Sequence, residues 1–132
     1  MKNIKGVEKI EKAMESWSPR NLAFIEGIEL KKDSDVGFAT NLIVTALFQQ
    51  RSNSWPNFDK EIFRVTIQFD DIGGLCLKNF GGGAVQIMGF DIHFVGDRGM
   101  ERINYEIEDY EDNRIKFYCR NISIQSVELA VL

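Results

Sequence analysis

The 132-residue sequence predicts a mainly β domain: about eight antiparallel strands in a β-sandwich or flattened barrel, with one α-helix at the N-terminus. Three observations carry this. Apolar residues recur at helical spacing only up to Trp17, they recur at every second position from Leu22 onward, and the stretches between the alternating runs are short and rich in Gly, Asp, Asn and Ser. The length suits one domain over 1–132, and 44% hydrophobic residues with ten Phe are enough to fill one core, which excludes a disordered chain.

From Ile4 to Trp17, the residues Val7, Ile10, Ala13, Met14 and Trp17 fall at spacings of three and four, opposite Glu8, Lys9, Glu11, Lys12 and Glu15. This stripe predicts a helix over 4–17, closed by Ser16-Trp17-Ser18-Pro19-Arg20 because a residue before proline is pushed out of the α region. An antiparallel β meander is expected over 22–131. Its predicted strands are 22–31, 40–51, 62–69, 75–78, 85–95, 103–108, 114–119 and 122–131, with Leu22, Phe24, Ile28 and Leu30 on one inward face and Phe63, Val65, Ile67 and Phe69 on another. Short connections favour antiparallel neighbours. The apolar phase slips at Met88-Gly89, again between Cys119 and Ile122, and again between Ile124 and Val127, where β-bulges or bends are expected.

The net charge of −4 argues against nucleic-acid binding, which draws its affinity from basic patches. From Glu101 to Asp112, six carboxylates face Arg102 alone, a local charge of −5 that would attract a cationic partner. No run is long and apolar enough to span a membrane, and no apolar segment follows the Met-Lys-Asn-Ile-Lys start, so a cytoplasmic protein without a membrane partner is expected. Cys76 and Cys119 show no metal or redox spacing and read as free thiols.

Side chains capable of chemistry were weighed against plainer roles. His93 and Asp91 share a strand face, but Phe90, Ile92 and Phe94 claim the buried side, leaving the pair solvated rather than catalytic. Cys119 is in phase with Ile115 and Phe117 and reads as a small buried hydrophobe. Gly81-Gly82-Gly83 lacks the Lys-Ser/Thr and the helix of a phosphate loop, and 109–113 lacks the turn glycine and distal glutamate of a calcium loop. No catalytic residue, metal ligand or cofactor is therefore expected, and the chain reads as a non-enzyme. Trp55 stands in the loop-like Ser52-Asn53-Ser54-Trp55-Pro56-Asn57, where an aromatic can anchor an interface or cap the core.

The stretch INYEIEDYEDNRIKFYC from Ile103 to Cys119, preceded by Ile87-Met88-Gly89-Phe90-Asp91-Ile92, resembles small bacterial immunity proteins of polymorphic toxin and contact-dependent inhibition systems. Their pattern sets an I-x-G-F-x-I strand before a Y-x-I-x-D-Y-E-x-x-x-I-x-F-x-C hairpin. The match runs only from Ile87 to Cys119 and brings no catalytic residue with it. It implies binding and neutralisation of a cognate protein toxin, and an acidic inhibitor suits a basic nuclease toxin. The expected binding residues are Glu106, Glu108, Asp109, Tyr110, Glu111 and Asp112, with Trp55. The alternative is a small-ligand-binding protein whose barrel or sandwich encloses an apolar cavity lined by Phe24, Phe63, Phe69, Phe90 and Phe94.

Overall fold

The computed structural model describes residues 4–15, 17–49, 60–78, 85–86, 90–96, 103–109 and 114–130. They form one helix, α1 (Val7–Ala13), and nine strands: β1 (Leu22–Asp33), β2 (Ala39–Phe48), β3 (Phe63–Asp70), β4 (Gly73–Leu77), β5 (Val85–Gln86), β6 (Phe90–Phe94), β7 (Tyr105–Asp109), β8 (Ile115–Cys119) and β9 (Asn121–Leu129). Five strands make one sheet in the order β5-β1-β2-β3-β9, and four make the other in the order β4-β8-β7-β6. Every pairing between named strands is antiparallel. The result is a two-sheet sandwich and not a closed barrel.

Alternation builds its core. Leu42, Val44, Ala46 and Phe48 on β2 stand beside Val65, Ile67 and Phe69 on β3; from the other sheet come Tyr105 and Ile107 on β7 and Ile115, Phe117 and Cys119 on β8. Phe69 meets Phe117 edge to face, with centroids 4.8 Å apart, a geometry that contributes about 0.5–1.5 kcal/mol beyond burial alone.

The chain does not run as a single meander. It changes sheet at Asp71-Ile72 between β3 and β4, and again at Arg120 between β8 and β9; the predicted strand 85–95 is two strands, β5 and β6, in different sheets. No phase slip marks the crossing at Asp71-Ile72, and the bulge or bend expected at Met88-Gly89 lies outside the described residues. The slip after Cys119 is the Arg120 crossing, and the slip after Ile124 is a bulge, since Thr66 pairs with Ser126 while Ile67 pairs with Ile124. The two crossings lie side by side, tied by Arg120 N–H donating to the Asp70 carbonyl at 2.9 Å.

The helix is shorter than 4–17. Ile4 is buried at a bend outside the helix, and Lys5 bridges to β9: its N–H donates to the Ile122 carbonyl at 3.0 Å and its carbonyl accepts from Ile124 N–H at 2.7 Å. Gly6, at φ 75, then turns the backbone into α1. At the far end Met14 is already extended, and Trp17 reaches Phe48 from a coil, with ring centroids 5.8 Å apart. The apolar stripe reports burial correctly while its two ends are not helical. Ser18 and Asn21 cap the short 3-10 turn Pro19–Asn21 that leads into β1.

Two residues expected inside are out. Leu30 is 54% exposed, and Glu29 to Lys32 are all exposed, although Leu42 opposite Leu30 on β2 is buried; among the described residues β5 pairs with β1 only at Phe24 and Ile25, so this end of β1 lies at the sheet edge. Phe94 is also 54% exposed; β6 is a sheet edge, and Phe94 rests against Tyr105 with centroids 5.8 Å apart.

Candidate functional site

The outer face of the four-stranded sheet carries two of the acidic residues that the sequence singles out, Glu106 and Glu108. Along β7 the side chains of Tyr105, Ile107 and Asp109 point inward, so Glu106 and Glu108 point out. Their cross-strand neighbours are His93 and Asp91 on β6 and Tyr118 and Lys116 on β8. Three carboxylates, Asp91, Glu106 and Glu108, thus share a patch with Lys116 and His93 set among them and Arg20 beside Asp91. Arg20 grips Asp91 through two contacts at 2.9 and 3.4 Å, Lys116 reaches Glu106 at 3.7 Å, and His93 stands 3.8 Å from Glu108. The carboxylates are only partly exposed, while Arg20, His93 and Lys116 are more open to solvent. Exposed cations such as Arg20 and Lys116 screen the patch but can swing away when a partner brings its own.

Asp109 is placed differently from its acidic neighbours. It is 3% exposed, in phase with the core, and its Oδ1 accepts the Ile115 N–H at 3.0 Å. This carboxylate staples the β7–β8 hairpin from inside and is not displayed on the acidic face. Tyr110, Glu111, Asp112 and Trp55 lie outside the described residues.

Chemistry is sparse at these positions. His93 and Asp91 do not pair with each other, because Asp91 is held by Arg20 and His93 faces Glu108. Burial pushes the Cys119 thiol up to about 12, with the nearby Asp70 charge adding to the effect, so it is no nucleophile. Cys76 is exposed and unpaired. Among the described residues no group of three or more His, Cys, Asp or Glu is placed to hold a metal ion. What remains is a surface suited to recognising charge.

The comparison with protein families decides the class. The family model described as Immunity protein PIM8 matches residues 5–125, nearly the whole chain. The chain belongs to this family of immunity proteins. No curated protein and no solved structure matches it. The match begins at Lys5, far ahead of the stretch from Ile87 that carried the resemblance in the sequence, so α1 and the five-stranded sheet of this PIM8 immunity protein belong to the family pattern too.

Sequence reasoning missed a second region of this immunity protein. Where β3 and β9 meet the β1–β2 hairpin, Asp33, Ala39, Asn41, Gln68, Asp70, Asp71, Arg120 and Asn121 line a cavity of about 270 Å³. The sequence showed Asp70-Asp71 only as a turn signal; that this turn is a crossing between sheets, beside Arg120 and the hairpin, depends on topology. On the outer face of the five-stranded sheet charges are paired as well. Arg64 binds Glu26 at 2.7 and 3.2 Å and Glu128 at 3.5 Å, and hydrogen bonding from Glu26, then its charge, holds the guanidinium above its ordinary value.

Proposed function

We propose that this chain is a non-enzymatic immunity protein that binds and neutralises a cognate protein toxin in the cytoplasm, with the acidic outer face of the four-stranded sheet as a contact surface. The observation that carries the reading is the grouping of Glu106, Glu108 and Asp91 on one open sheet face, in a chain that belongs to an immunity family. A basic toxin, such as a nuclease with a cationic substrate cleft, is the partner this charge suits: field complementarity speeds encounter and excludes partners of like sign. Glu111 and Asp112 extend the same acidic run in sequence, with Tyr110 as an aromatic between them and β7. A toxin system of the contact-dependent inhibition type supplies the setting.

The ligand-carrier alternative has less behind it. Phe69, named for its cavity wall, packs against Phe117 between the sheets, and Phe94 faces solvent. The cavity at the β1–β2 hairpin is lined by none of the five Phe named for that wall.

The test is Glu106→Lys combined with Glu108→Lys, co-expressed with the toxin encoded beside this gene. Growth protection should fall, and the association rate of the purified pair should drop at least about tenfold, with raised salt mimicking the loss in the parent. A folded double variant that protects as well as the parent, at an unchanged association rate, would remove the acidic face from the interface.

A further inference from the structure

We infer that the β1–β2 hairpin end of the five-stranded sheet is a second docking surface for the toxin, with Phe38 as its aromatic anchor and the neighbouring cavity receiving a lysine or arginine side chain of the toxin. The inference rests on the reading that this protein binds its toxin directly, and it adds a region on the other sheet.

Phe38 is the odd residue of the hairpin. Gly37 and Phe38 follow one another in the left-handed region, at φ 57 and φ 59. Glycine adopts that conformation at little cost, whereas for a bulky side chain it is a strained outlier. Burial does not compensate, since Phe38 is 67% exposed. Glycine or asparagine at this position would serve the turn better, so folding gives no reason for a phenylalanine here. Strain kept at an exposed aromatic is what an interface anchor would look like before its partner arrives. Leu30, on the same hairpin, is also open to solvent.

The cavity begins at Ala39, next in the chain to Phe38, and says which chemistry the anchor would bring with it. Among the described residues its lining holds the carboxylates of Asp33, Asp70 and Asp71 and the guanidinium of Arg120. The residues are fixed: Gln68 Nε2 donates to Asp70 Oδ1 at 2.7 Å, Asn41 Oδ1 accepts the Asp71 N–H at 3.1 Å, and Asp33 Oδ1 accepts the Asp35 N–H at 3.0 Å. A cavity of about 270 Å³ with this lining is complementary to one extended cationic side chain, and a basic toxin offers these in number.

The test uses the purified full chain and the toxin encoded beside it. Phe38→Gly and Phe38→Asn should melt at the same or a higher temperature than the parent, yet bind the toxin at least about tenfold more weakly. Asp70→Asn with Asp71→Asn, where asparagine tolerates the left-handed backbone of Asp71 at φ 54, should lose at least about fivefold in affinity and flatten the salt dependence. A parent that binds the toxin while all three variants bind as tightly would overturn the inference and leave direct neutralisation standing. A parent that binds no toxin would defeat both. Variants with unchanged toxin affinity that abolish a dimer of the parent would assign the hairpin to self-association and overturn the inference as well.

Discussion

One step along β7 separates Glu108, which faces solvent beside His93, from Asp109, sealed beneath the hairpin against the Ile115 amide. Removing the inner carboxylate leaves a buried N–H without its acceptor, so Asp109→Ala should cost about 1–3 kcal/mol in a urea unfolding series, whereas Glu108→Gln should stay within about 0.5 kcal/mol of the parent. The signal for this difference was present in the sequence: Asp109 keeps the phase of Tyr105 and Ile107. Its charge argued for the surface, and the hydrogen bond that overrides the charge forms only once β7 and β8 pair. Cys119, whose neighbours in phase are all apolar, was legible from alternation alone. In the native protein a thiol reagent should find Cys76 and not Cys119, and unfolding should release both. Because the folded state raises the Cys119 pKa from 9.0 to about 12, that contribution to stability is intact below about pH 9. Above it the unfolded chain sheds the proton while the folded chain keeps it, so stability should decline from about pH 9 to about pH 12, less steeply in Cys119→Ala; equal slopes would contradict the assignment.

At the scale of elements, α1 depends on a residue that no apolar pattern identifies. A Cβ on Gly6 would lie 2.5 Å from the Ile124 carbonyl oxygen, at a φ of 75 that side chains disfavour. Gly6→Ala should therefore destabilise the protein by about 2 kcal/mol or more, read as a lowered urea midpoint with an unchanged slope. An unaltered midpoint would mean that the seam between the chain start and β9 is dispensable. The strands were easier to read than the helix boundaries, because period-2 burial survives in β3, β7 and β8 while the helical stripe continues into coil at Met14 and Trp17 and into a bend at Ile4. Phase slips located the sheet crossing at Arg120 and the β9 bulge without saying which was which. That distinction needs the partner strand, since a slip looks the same in sequence whether the strand bulges or leaves its sheet.

Across the whole molecule, the outer face of each sheet sets carboxylates beside cations. On the five-stranded sheet Arg64 binds Glu26 and Glu128, and on the four-stranded sheet Arg20 holds Asp91, Lys116 reaches Glu106 and His93 faces Glu108. The sequence showed that the acidic run exists but not how it divides, because Asp109 goes inward and Asp91 joins from a distant segment through the β6–β7 pairing. The hairpin end with Phe38 was not legible at all, since left-handed strain and solvent exposure are properties of the folded turn. The central claim is that protection comes from direct, charge-steered binding of a toxin. The most direct measurement is the association rate of the purified chain with the purified toxin across a series of salt concentrations. A stable complex is expected, with a rate that falls steeply as salt rises and a dissociation rate that changes little. If the two proteins form no complex at any salt concentration while co-expression still protects the cell, neutralisation does not proceed by binding and the account is wrong.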